Sequence, residues 1–154
     1  MTRLTILVLA AVLALGATAG LAAGAHSTSS PAKVGVRKTA LGNVLVNSKG
    51  VTLYLFEKDK HGKSACSGAC AKAWPPLLTK GAPRAAGAVK SSKLGTTRRA
   101  DGTTQVTYGG HPLYTFIMDH GKAGSTKGEA VNAFGAEWYA VGTNGKKIEK
   151  KGGS

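Results

Sequence analysis

The sequence predicts a mainly β protein, a single compact antiparallel domain built from two pseudo-repeats with one short helix near a cysteine pair. Three observations carry this expectation. Gly50, Leu53, Tyr54, Phe56 and Asp59 return sixty residues later, at identical spacing, as Gly110, Leu113, Tyr114, Phe116 and Asp119, which marks one structural unit used twice. Apolar residues around the first copy alternate with a period of two, Val44 and Val46 before the motif and Leu53 and Leu55 within it, as strands require. Turn-forming clusters punctuate the chain at Asn47 to Gly50, Asp101-Gly102, Gly109-Gly110 and Thr143 to Lys146.

The elements follow in chain order. Residues 1–25 read as a signal peptide: Arg3 is a short positive region, Leu4 to Leu15 is apolar, and Ala23-Gly24-Ala25 has the small-x-small form of a cleavage site. Gly16, Thr18 and Gly20 interrupt the apolar stretch, which falls short of the ~20 apolar residues of a membrane span. The mature chain is expected to start near His26 and to hold no transmembrane segment. Residues 26–33 read as a flexible linker. All nine aromatic residues lie between Tyr54 and Tyr139, so the two-repeat β domain is expected over 34–148, with repeat 1 at about 41–78 and repeat 2 at about 94–141, followed by a basic tail at 149–154.

Within repeat 1, the strands around Asn47 to Gly50 read as a hairpin. Tyr54 and Phe56 share one face of the second strand, and Tyr114 and Phe116 repeat that placement. The segment from Cys66 to Trp74 is the one predicted helix, stopped by Pro75-Pro76. Thr79 to Ser92 reads as a surface connection between the repeats, and a last hairpin turns at Thr143 to Lys146.

Cys66 and Cys70 are the two cysteines of the chain. An exported protein meets an oxidising compartment, which favours their joining as a disulfide, and an i, i+4 spacing on a helical turn brings the two Cα atoms within reach. A redox-active pair is the weaker reading, because three residues rather than two separate the cysteines.

The motif as a whole, Gly-x-x-Leu-Tyr-x-Phe-x-x-Asp, is followed in the first copy by Ser64, Cys66, Cys70, Trp74-Pro75-Pro76 and Leu77, and in the second by Gly135, Trp138-Tyr139 and Val141. In this it resembles the bacterial secreted-repeat family, the predicted lipoproteins with a Tyr-x-(Phe/Trp/Tyr)-x-x-Asp motif. The resemblance covers roughly Leu41 to Val141. It implies export and carries no established biochemical activity. One departure matters: Ala25 stands where a lipoprotein has the cysteine that accepts the lipid, so the chain is expected to be secreted or envelope-associated without lipidation.

Charge narrows the partners. The chain has 21 Lys and Arg against 7 Asp and Glu; loss of Arg3 with the leader leaves about +13 on the mature protein. For an exported protein this points to anionic envelope polymers or lipid head groups, or to a merely solubilising surface. Nucleic acid is not expected, since there is no phosphate loop, basic helix or RNA-binding aromatic signature.

The repeated Tyr54, Phe56, Asp59, Tyr114, Phe116 and Asp119 are expected to be structural, the aromatics as core and the aspartates as turn residues accepting backbone N–H bonds. A cation site at each aspartate is the competing reading, and one carboxylate per turn is few for calcium. His111, Met118 and His120 form a weak copper-type set, and the first copy has Val51 and Lys58 in place of His111 and Met118. No resident cofactor is expected. No Gly-x-Ser-x-Gly, His-Glu-x-x-His or reduced Cys/His arrangement exists, so the expectation is a non-enzymatic envelope or extracellular protein, with a metal-handling or redox-accessory protein as the alternative.

Overall fold

A computed structural model of the protein describes residues 30–149. The expected signal peptide, most of the linker and all but the first residue of the basic tail lie outside the described residues. The chain runs through β1 (Lys33–Thr39), β2 (Gly42–Val46), β3 (Tyr54–Phe56), α1 (Ala69–Ala73), β4 (Arg84–Ala85), β5 (Leu94–Arg98), β6 (Thr104–Tyr108), β7 (His111–Pro112), β8 (Val131–Ala133) and β9 (Ala136–Ala140). Among the described residues these form three three-stranded sheets, ordered β2-β1-β4, β3-β9-β8 and β5-β6-β7. The fold is mainly β, as expected.

Each repeat opens on the same device. β1 and β2 pair antiparallel with Gly35 opposite Val46, and β5 and β6 pair antiparallel with Gly95 opposite Thr107. The turn after β2 forms as the residue types predict: Gly50 N donates to Asn47 O at 3.0 Å, and the Asn47 side chain accepts from the N–H groups of Lys49 and Val51. The second repeat departs at the motif. Phe56 closes a regular strand, whereas the chain from Leu113 to Phe116 is held by isolated bridges of Tyr114 to Tyr54 and to Pro76. A single 3₁₀ turn over Ile117–Asp119 follows.

The two repeats do not fold side by side as separate units. Tyr54 and Tyr114 face each other in an antiparallel bridge, each N–H donating to the other's carbonyl at 2.8 and 3.0 Å. About this point the last segment of each repeat crosses to the other. Val141 N donates to Leu53 O and Leu45 N to Val141 O; in the mirrored arrangement Leu77 N donates to Leu113 O and Val106 N to Leu77 O. β9, from repeat 2, therefore completes the sheet of β3, from repeat 1.

The period of two decides what each residue buries. Leu45, Leu53, Leu55, Val106, Leu113 and Val141 fill one core cluster, while their neighbours Val44, Val46, Tyr54, Phe56, Tyr114, Trp138 and Ala140 fill a second. Residues 44–46 of β2, all of β3 and residues 138–140 of β9 are thus covered on both faces. The Thr79 to Ser92 connection, expected to be surface, does more: β4 pairs with β1 in the one parallel ladder among the described residues, and Val89 is buried in the first cluster. At the other end Ala32 N donates to the Thr79 hydroxyl and Lys33 starts β1, so the folded unit takes in the end of the expected linker.

Helix α1 is five residues long, with the N–H of Trp74 donating to Cys70 O at its end and Pro75 next in sequence. Cys66 and Cys70 are joined as a disulfide with Cα atoms 5.3 Å apart, and both sulfurs sit in the second cluster.

Candidate functional site

The six repeated motif residues meet at the junction of the repeats. The Tyr54 hydroxyl donates to Asp119 Oδ2 at 2.7 Å, and the Tyr114 hydroxyl donates to Asp59 Oδ2 at 2.8 Å. Each tyrosine therefore serves the aspartate of the opposite copy, a crossing that follows from the Tyr54–Tyr114 bridge at the pseudo-two-fold point. The second oxygen of each aspartate bonds within its own copy: Asp59 Oδ1 accepts from Ala65 N, and Asp119 Oδ1 accepts from Lys127 N and the Ser125 hydroxyl.

The aromatic rings continue the crossing. Trp74 and Trp138, one from each repeat, stack face to face at 4.0 Å and 4°. Phe116 stacks on the outer face of Trp74 and Phe56 on that of Trp138, both at 4.0 Å. Tyr54 and Tyr114 meet the two indoles edge-on at 5.4 and 5.1 Å, the arrangement the ring quadrupoles favour. A side chain at Gly128 has no room, since a Cβ there would lie 2.8 Å from both Tyr54 and Trp74.

The two halves differ in their charges. Beside Asp59 sits Arg99, a buried cation whose guanidinium donates to Ser64 Oγ, Gln105 Oε1 and Cys66 O and lies 3.6 Å from Asp101. Arg99 was not among the residues that sequence reasoning singled out; a lone arginine beside Arg98 carries no local signal of burial. Burial raises the Asp59 carboxyl above the ordinary range, opposed by the Ala65 N–H, the Tyr114 hydroxyl and the Arg99 charge. Burial likewise pushes both tyrosine hydroxyls well above their ordinary value, aided by the facing carboxylates. Tyr54 and Tyr114 are therefore protonated donors across the physiological range, and the motif groups spend their polar atoms on one another and on adjoining backbone and serine groups.

His111, Met118 and His120 are not brought together. His111 is half-buried in β7 and lines a cleft with Glu57, Asp59, Lys60 and Lys147, and burial lowers its pKa. His120 is exposed at the end of the 3₁₀ turn, in the left-handed conformation, and lines a different cleft with Lys49 and Ile117. Among the described residues no three His, Cys, Asp or Glu side chains group as a metal site.

The cations lie on the outside. Of the described lysines and arginines only Arg99 is buried, with Lys93 and Lys147 half-buried and the others exposed. Three ion pairs occur among the described residues, and they use two cations, Arg99 and Lys147, with Lys147 held between Glu57 and Glu149 at 2.7 Å.

Residues 35–78 and 95–142 each match the model of a family described as a secreted repeat of unknown function. No curated protein and no solved structure matches the chain. Among the described residues no helix is long and apolar enough to cross a membrane.

Proposed function

We propose that this chain, which belongs to the family of secreted repeats of unknown function, is an exported, non-enzymatic protein of the cell envelope or extracellular space that holds anionic polymer through its cationic surface. In this reading the leader is cut near Ala25, and Ala25 in place of cysteine leaves the protein without a lipid. The observation that carries the proposal is the exposure of nearly every described cation, with ion pairs drawing on only Lys147 and Arg99. A fully paired surface would have no charge to offer a partner, whereas unpaired lysines can neutralise the charges of a polyanion and release its condensed counterions. The motif residues act as a clamp between the repeats in this account, since their polar atoms are taken by internal partners. Binding of polyphosphate to the secreted form, measured by calorimetry across a salt series, tests the proposal: affinity falling steeply between low and physiological ionic strength is expected. Binding that ignores salt, or none at low salt, refutes it.

A further inference from the structure

The pseudo-symmetry supplies an internal comparison. In the turn after each motif phenylalanine, repeat 1 places the half-buried Glu57 and the exposed Lys58, and repeat 2 places Ile117 and Met118, both exposed. Ile117 and Met118 are 55% and 49% exposed and belong to neither core cluster. Packing does not require them to be apolar, because the same position in repeat 1 is filled by charged residues. Phe116 beside them is half-buried, where its counterpart Phe56 is buried.

The two turns also differ in their acids. Around the repeat-1 turn Lys58, Lys60 and Lys146 are accompanied by Asp59 and by Glu57 and Glu149, which pair with Lys147, and Glu137 accepts the Tyr139 hydroxyl. The clefts around the repeat-2 turn are lined by Lys33, Arg37, Lys49, Lys122 and Lys127, and their single acid is Asp119, buried and bonded on both oxygens. Arg37 is seated here: a Cβ on Gly124 would lie 2.9 Å from its Cδ, and one on Gly50 would lie 3.1 Å from its guanidinium. Both glycines have positive φ and are joined by a 3.0 Å hydrogen bond between Gly124 N and Gly50 O. Nothing anionic pairs with Arg37 among the described residues.

We propose that this end of the molecule docks on an anionic lipid surface, with Ile117 and Met118 entering the interfacial layer and Arg37, Lys49, Lys122 and Lys127 facing head-group phosphates. A soluble polyanion would pair with the cations and leave the two apolar side chains in water; a lipid interface takes both. The inference rests on the reading of the cationic surface as the binding surface, and adds which face and which partner.

The test uses the mature chain in co-sedimentation with vesicles of mixed phosphatidylglycerol and phosphatidylcholine, and of phosphatidylcholine alone. The matched variant is Ile117→Glu with Met118→Lys, which installs the residues of repeat 1, leaves net charge unchanged and sits on an exposed turn. Wild type is expected to sediment with the anionic vesicles and not the neutral ones, and the variant to bind them about tenfold more weakly with an unchanged melting temperature and unchanged polyphosphate binding. Equal binding by variant and wild type, or equal binding to neutral vesicles, overturns the proposal. Failure to sediment with anionic vesicles while polyphosphate still binds overturns it too, assigns the apolar tip to a protein partner and leaves the polymer reading standing; loss of both ends the two together.

Discussion

Phe56 and Phe116 occupy matching places in the stack of four rings, yet their surroundings differ. Phe56 is 2% exposed, while Phe116 lies at the edge of a cleft open to solvent. The two matched positions therefore carry unequal costs on truncation. Phe56→Ala should cost about 3–5 kcal/mol by leaving a closed cavity, and Phe116→Ala about 1–2 kcal/mol because water can fill the space it vacates. Chemical denaturation of the two variants measures the difference; equal losses contradict the assignment.

His111 sets a pH response at the same scale. Burial lowers its folded pKa, so the fold prefers the neutral ring. Its contribution is present above the ordinary histidine value of about 6.5 and is lost as the pH falls through the lower folded value. Asp59 runs the other way: its raised folded pKa favours the protonated acid, a contribution lost as the pH rises through that value. Denaturation midpoints measured from pH 7 down to pH 5 should decline less for His111→Gln than for wild type. A variant that declines as steeply would remove His111 from the account.

Among the elements, helix α1 is the most dependent on its neighbours. Five residues are too few to hold a helix in water, its N-terminus has no side-chain cap, and the disulfide together with Trp74 ties it to the second core cluster. The closed loop is short, so the bond contributes at the low end of the usual range. A Cys66→Ser, Cys70→Ser double variant should lose about 2 kcal/mol and still fold, and the oxidised wild-type chain should show no free thiol on titration. A variant that fails to fold would make the bond a condition of the fold rather than a local brace.

The whole molecule depends on the exchange of terminal segments. The repeats share strands: β3 of repeat 1 pairs with β9 of repeat 2, and the 76–78 segment of repeat 1 bridges to Gln105 and Tyr114 of repeat 2. Each half alone would expose strand edges and one face of the Trp74–Trp138 stack. Fragments 30–87 and 88–149 produced separately should lack a near-ultraviolet aromatic dichroism signal and regain it on mixing. Cooperative unfolding of either fragment by itself would refute the interdependence.

What local pattern governs was legible in the residues themselves. The five-residue repeat marked two units, alternation of apolar residues placed Leu53 and Leu55 opposite Tyr54 and Phe56, and Asn47 to Gly50 and Asp101-Gly102 formed their turns, because each rests on interactions within a few residues. The disulfide was legible for the same reason, four residues separating its ends. The crossed Tyr54–Asp119 and Tyr114–Asp59 bonds, the stacked indoles, the buried Arg99 and the parallel β4 join residues tens of positions apart. Sequence periodicity says which face a side chain occupies but not which distant face it meets. That choice belongs to tertiary packing, where two incomplete repeats bury most apolar surface and satisfy most backbone groups by trading their last strands.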